Sequence, residues 1–252
     1  MTDIGHIGVF KEDHDGAMAR FIGEADVIFC MDFNQINRLD RVTDTVTANT
    51  TAVRVLIDHH LHPPVDGYAV QFSDTHACST SYIVYQLLEA LAGTDAIDQA
   101  MAESLYVGIM TDTGNFSFSS LTSDLFRAVA VLIDKGVNVP YVNSSVYNNF
   151  SEGRMRLLGY MLNDKMVTDY EFGVAYVSLT EEEMRRFDFI QGDSEGFVNY
   201  PLSIRGIRMS AMFIQTKHSI RVSLRSRGEV DVNVFARRYF DGGGHRNAAG
   251  GK

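Results

Sequence analysis

Tryptophan is absent from this 252-residue chain, and cysteine and proline are scarce, at two and four. Two thiols cannot build a disulfide framework. Cys30 and Cys78 sit among apolar or small residues, which predicts quiet core thiols and a reducing, cytoplasmic setting. Long apolar runs are missing too: VIFCM at 27–31 and IVYQLL at 83–88 fall far short of the roughly 20 residues that a spanning helix needs. No membrane partner is expected. The first residues carry neither a basic start nor an apolar segment of the kind that directs secretion.

Cations are in deficit, with 22 Lys and Arg against 32 Asp and Glu for a net charge of −10. That excludes a general coat for duplex DNA, because sequence-independent binding runs on surplus positive charge. The deficit is uneven. Residues 1–204 hold 12 basic and 29 acidic side chains, a balance of −17, whereas residues 205–252 hold 10 and 3, a balance of +7. An acidic body with a cationic end suits an anionic substrate recruited to a metal centre, although solubility alone can produce the same pattern.

What is present is a globular alternation of elements. Residues 26–31 (DVIFCM) predict a buried strand, 35–48 a polar helix and 53–57 (VRVLI) a second strand, a rhythm that indicates a parallel sheet. Residues 79–92 open with Ser and Thr as cap candidates and continue as an amphipathic helix. Helices are also expected over 98–110 and 123–135, the latter stopped by Gly136. Residues 143–164 predict helices that join two halves. Beyond them the texture turns to antiparallel strands at 165–170, 173–179, 207–216 and 218–225, with a capping box at Thr180 and Glu183 opening a helix to about Phe187. The expected architecture is α/β: a parallel-sheet domain over 1–142, a helical linker over 143–164 and a smaller α+β domain over 165–252.

Three clusters fall where strands should end, the place where an open parallel sheet presents its ligands. Asp32 ends DVIFCMD; Asp58, His59 and His60 end VRVLIDHH; Asp112 follows the apolar run SLYVGIM. Carboxylates and imidazoles at strand mouths suit Mn²⁺ or Mg²⁺, and the missing Cys pairs make structural zinc a poor fit. A lone Asp after a strand usually serves a turn, whereas Asp followed by two histidines is more specific. Near the end stands DGGGHRNAAGG, where Gly242, Gly243 and Gly244 would let backbone amides approach an anion and His245 and Arg246 supply donors. A flexible tail has the same composition. Arg221, Ser223 and Arg225 alternate in SIRVSLRS and so share one strand face.

Together DVIFCMDFN, the DHH triplet, MTDTGNF, SLRS and GGGHRNAAGG resemble motifs two to four of the DHH phosphoesterase family plus its DHHA1 substrate domain. Within that family the likeness is to bacterial bifunctional oligoribonuclease and 3′-phosphoadenosine-5′-phosphate phosphatases, also described as exopolyphosphatase-related. The resemblance implies that Asp32 bridges two Mn²⁺ ions, with Mg²⁺ as the substitute, and that His59 and Asp112 complete one of them. It further implies that His60 faces the scissile phosphate, that Asp58 orients a histidine, and that Arg225 with Gly242 to His245 grips the substrate. Asn34 and Asn115 are outer-shell or turn residues on this reading. The implied partners are short oligoribonucleotides or small nucleotides, and a homodimer is compatible with the resemblance.

One departure stands out. The family's first motif, a strand ending in a His-x-x-Pro-Asp-x-Asp-like segment, has only a compositional echo in KEDHDGA at 11–17, which lacks a preceding apolar strand and a proline. The chain is therefore expected to be a piece truncated at both ends, with weak or absent hydrolysis of its own. Two other functions remain open: an inorganic pyrophosphatase or exopolyphosphatase, and a non-catalytic nucleotide-binding module.

Overall fold

The computed structural model describes residues 8–10, 13–118 and 121–252. The chain divides into two compact units, Met1–Val146 and Tyr147–Lys252. The division falls inside the segment 143–164. Among the described residues no helix is long and apolar enough to cross a membrane.

In the first unit, helix α1 (Ala17–Gly23) leads into strand β1 (Val27–Met31). The chain returns through a 3₁₀ turn (Ile36–Val42) and helix α2 (Thr43–Ala48) to β2 (Val53–Asp58) and then β3 (Val70–Ser73). The three strands pair in parallel in the order β1-β2-β3. The single polar helix expected over 35–48 is instead two short pieces broken at Asp40, whose φ of 50° is not helical. Ile36, Leu39, Val42 and Val46 keep helical spacing, but the backbone at Asp40 turns out of the helix between them. β1 also departs from expectation, since only Cys30 is fully buried while Phe29 and Met31 are exposed. Among the described residues β1 is an edge strand, and the helix covering this face sits over the middle strand.

That helix is α3 (Thr80–Ala92), whose Ile83, Val84 and Leu87 pack on Val55 and Ile57 of β2. Ser79 caps it by accepting from the Tyr82 amide. α4 (Gln99–Asp112) is capped by Asp98 and packs on α3, where Gly108 allows the approach: a Cβ there would lie 2.0 Å from Ser81 Oγ. α5 (Ser123–Asp134) follows, ending before Gly136 at φ 101°, with Leu125, Ala128 and Leu132 buried. Both cysteines are buried free thiols, as expected, and burial pushes both upward in pKa.

The chain passes from α6 (Val139–Tyr147) into α7 (Glu152–Tyr160) and a π turn (Met161–Lys165). Leu157, Leu158 and Met161 enter the core of the second unit with Val177, Leu179, Met212 and Ile214. The sheet contains β4 (Val167–Asp169), β5 (Val174–Leu179), β6 (Met209–Gln215), β7 (Ile220–Ser226), β8 (Gly243–His245) and β9 (Ala248–Gly251), in the order β4-β5-β6-β7-β9-β8. It is not wholly antiparallel: β5 and β6 pair in parallel. Their connection is long enough for a crossover, carrying α8 (Glu181–Arg185) and a 3₁₀ turn (Phe197–Ser203). On the opposite face α9 (Val232–Tyr239) buries Val232 and Ala236 against Val222, Leu224 and Ala249.

The capping box at α8 is present. Glu183 also accepts from Lys165 Nζ at 2.6 Å and from the Tyr160 hydroxyl at 2.8 Å, tying α8 to the end of α7. Burial alone would raise this carboxyl, but the Lys165 ammonium, the Thr180 amide and the Tyr160 hydroxyl hold it down to about 2. A carboxyl depressed in the folded state stabilises above its unfolded pKa, near 4.5, and loses that contribution as pH falls toward about 2. Glu183→Gln should therefore be less stable than the parent at neutral pH, with the difference closing across that acid window. Urea unfolding at a series of pH values measures it, and a pH-independent difference would refute the ionic account.

Candidate metal centre

The C-terminal ends of β1 and β2 place the first cluster. Asp32 follows β1 with φ 65°, its amide still bonded to Ile57 O, and its Oδ1 accepts from Thr80 Oγ1 at 2.9 Å. Ser79 caps α3, which leaves the next hydroxyl, Thr80, to fix the carboxylate. Asp58 ends the middle strand and is fully buried. Its Oδ1 lies 2.7 Å from His60 Nδ1 and its Oδ2 accepts from the His60 amide at 3.1 Å. Burial pushes the Asp58 carboxyl up, but the hydrogen bonds and charge of His60 outweigh that and leave it below its ordinary value. An ionised carboxylate only accepts, so His60 carries its proton on Nδ1.

His59 leaves the strand on the other side. Its Nδ1 lies 3.3 Å from the Ala77 carbonyl oxygen, which can only accept. Nε2 is thereby left to Asp32 Oδ1 at 3.6 Å and Asp112 Oδ2 at 3.8 Å. Asp112, grouped in the sequence with residues at strand mouths, is instead the last residue of α4, the helix expected over 98–110. Burial, only partly offset by His59 and worsened by Asp32, raises its carboxyl. Donor atoms of Asp32, His59 and Asp112 all lie within 4.8 Å of one another, as do those of Asp32, Asp58 and His60. Two carboxylates and one imidazole nitrogen converging in this way form a mixed oxygen and nitrogen donor set that fits a divalent cation.

The neighbouring asparagines have other work. Asn34 is buried and donates to the carbonyls of Leu61 and His62, fastening the loop after the DHH triplet. Asn115 turns the chain after α4 at φ 56° and accepts from Asn143. In KEDHDGA, Lys11 and Glu12 lie outside the described residues. Asp13 caps α1 through the amides of Met18 and Ala19, and Asp15 accepts from Ala17. Neither joins a metal-ligating group among the described residues.

In the second unit Arg221, Ser223 and Arg225 do share a face of β7, and they line a cleft of about 250 Å³ with Ser194, Glu195 and the backbone at Gly250 and Gly251. Burial pushes the Arg225 guanidinium down, and Glu195 opposes the shift. Gly242 to His245 are not among its lining residues. Gly243–His245 forms the edge strand β8 rather than an open loop. The glycines serve the hairpin: a Cβ on Gly242 would lie 1.9 Å from Gly250 O, and one on Gly244, at φ 149°, would lie 2.5 Å from Ala248 O. Ser194 and Glu195 escaped the sequence reading because they come from a loop with no local signal.

Comparison with known proteins adds an independent line. The DHH family N-terminal domain matches residues 4–109, and the DHHA1 domain matches residues 170–252. The chain is 30% identical over 247 residues to the bifunctional oligoribonuclease and PAP phosphatase NrnA of Bacillus subtilis, covering 96% of this chain and 72% of that protein. It is 29% identical over 194 residues to the protein of the same description from Thermus thermophilus, covering 77% of this chain and 56% of that one. It superposes on an exopolyphosphatase-related protein of Bacteroides fragilis with a TM-score of 0.93 at 38% identity, over 100% of this chain and 73% of that one.

Proposed function

The chain belongs to the DHH family of phosphate ester hydrolases and carries a DHHA1 domain, and from that premise we propose that it hydrolyses short oligoribonucleotides and 3′-phosphoadenosine-5′-phosphate, weakly, because the ligands of the family's first motif are not among its residues. The observation that carries the reading is His59 Nε2 set 3.6 and 3.8 Å from carboxylate oxygens of Asp32 and Asp112. DHH phosphoesterases are metal-dependent, and on this proposal Asp32, His59 and Asp112 would hold Mn²⁺, for which Mg²⁺ could substitute. When bound, a divalent cation supplies Lewis acidity that makes water a better nucleophile and offsets phosphate charge.

The protein's own groups do the rest. The Ala77 carbonyl fixes the tautomer of His59, and Thr80 fixes the rotamer of Asp32, so the donors need little reorganisation. Asp58 holds His60 with its proton on Nδ1 and stabilises positive charge on the ring, which suits His60 to meet the phosphate oxygens as charge develops on them. Arg221 and Arg225 hold the substrate's far phosphate in the cleft beside β7.

The test is substrate choice after metal removal. Protein stripped with EDTA should cleave diadenylate and release phosphate from 3′-phosphoadenosine-5′-phosphate only when Mn²⁺ is restored. Inorganic pyrophosphate, which offers no base, should turn over at least about 10-fold more slowly. Faster hydrolysis of pyrophosphate would move the protein to the pyrophosphatase reading, and nucleotide binding without metal-dependent turnover would favour a binding module.

A further inference from the structure

Arg154 sits on α7, remote in sequence from the metal centre and the cleft, and is buried. Its Nη1 donates to the carbonyls of Gly192, at 3.3 Å, and Asp193, and its Nη2 to that of Glu195 at 2.8 Å. The rings of Phe150 and Phe197 lie 4.0 and 4.9 Å from the guanidinium carbon. None of the ion pairs among the described residues includes it. Burying a guanidinium against neutral carbonyls is costly, and an apolar side chain would fill the space without that desolvation. What only a planar, multiply donating group provides is a fixed backbone over residues 192–195.

That backbone is one wall of the cleft. Ser194, Glu195 and Gly196 all line it, and the buried Ser194 Oγ accepts from Arg221 Nη2 at 3.0 Å. The origin of Arg154 is itself fixed, because the preceding Gly153 lets α7 approach the chain so closely that a Cβ would lie 2.2 Å from Phe187 O. A continuous path therefore runs from α7 through the 192–195 backbone and Ser194 to the cation that faces the cleft.

We infer that Arg154 is a positioning residue for nucleotide phosphate: by holding the 192–195 loop it sets Ser194, and through Ser194 it sets the guanidinium of Arg221. The inference rests on the reading of this cleft as the substrate's phosphate subsite. It requires no contact between Arg154 and the substrate.

Calorimetric titration of the full chain with diadenylate in EDTA, where turnover is absent, separates the two claims. Arg225→Ala tests the subsite, and unchanged affinity there would overturn the subsite itself. Arg154→Met should weaken binding about 10-fold, and Ser194→Ala, which removes one neutral acceptor, about 3-fold. The double variant should bind no more weakly than Arg154→Met alone, because both changes act through Arg221. Millimolar guanidinium should restore affinity to Arg154→Ala, which leaves the space before the loop carbonyls open, but not to Arg154→Met, which fills it, a response that general destabilisation cannot give. Independent, multiplying effects of the two changes, or a loss at Arg225 with none at Arg154 or Ser194, would overturn the positioning role. If Arg154→Met does not fold, Ser194→Ala and Arg154→Lys decide, the lysine variant binding more weakly because its ammonium cannot span the loop carbonyls.

Discussion

Replacing His59 with alanine should abolish Mn²⁺ binding at Asp32 and Asp112 and lower diadenylate hydrolysis by at least about 1,000-fold, the scale of losing several kcal/mol of charge stabilisation. The imidazole is the only neutral donor in its cluster, and its Nε2 is the point on which the two carboxylates converge. Without it Asp32 and Asp112 face each other as like charges. A heat-stability titration gives a readout independent of catalysis. Mn²⁺ at 100 times its Kd should stabilise the parent by about 2.7 kcal/mol and the variant by almost nothing. Retained Mn²⁺ stabilisation in His59→Ala would mean that the cation is held elsewhere, and the proposed centre would fail.

The parts of this site that were visible in the sequence are those fixed by local pattern. Asp32 and the DHH triplet follow short apolar runs bounded by charge, and such runs leave few alternatives to a strand ending at the carboxylate. Asp112 also follows an apolar run, but SLYVGIM belongs to a helix. α4 buries Ala102, Leu105, Tyr106, Ile109 and Met110, so much of its surface is apolar and its periodicity is weak. The helix itself was legible over 98–110, with Asp98 bonded to the Met101 amide as its N-cap; what was not legible is that it runs on to Asp112. β3 escaped because VQFS is too short to show alternation. The parallel pairing of β5 with β6 escaped because alternation reports burial, not strand direction.

Long-range ties are a different matter. Nothing near Arg154 in sequence announces that it will meet carbonyls at 192–195, since an arginine on a short helix ordinarily faces water. The glycine-rich end is ambiguous in another way. Its composition suggests an anion cradle, and Gly242 and Gly244 are in any case required by backbone approach within the β8–β9 hairpin. Glycine marks where backbone comes close, and the sequence does not say whether to a ligand or to the chain itself.

Asp58→Asn should lower kcat for diadenylate by about 100-fold or more while leaving Mn²⁺ binding and KM within a few-fold of the parent. Asp58 is fully buried, and His60 occupies both of its oxygens, one at the ring Nδ1 and one at the amide. The amide side chain preserves size, so the core at the end of β2 remains filled. It cannot preserve both bonds. Turning its oxygen to the imidazole puts its NH₂ against the His60 amide, and turning it to the amide puts NH₂ against Nδ1–H. Either way one donor meets another, the tautomer is no longer imposed, and no negative charge remains to stabilise a positively charged ring. Asp32, His59 and Asp112 keep their own supports through Thr80 and Ala77, so metal-dependent heat stabilisation should persist. An unchanged kcat would remove His60 from the chemistry. A loss of Mn²⁺ binding in parallel with kcat would make Asp58 a support of the whole centre rather than of one histidine.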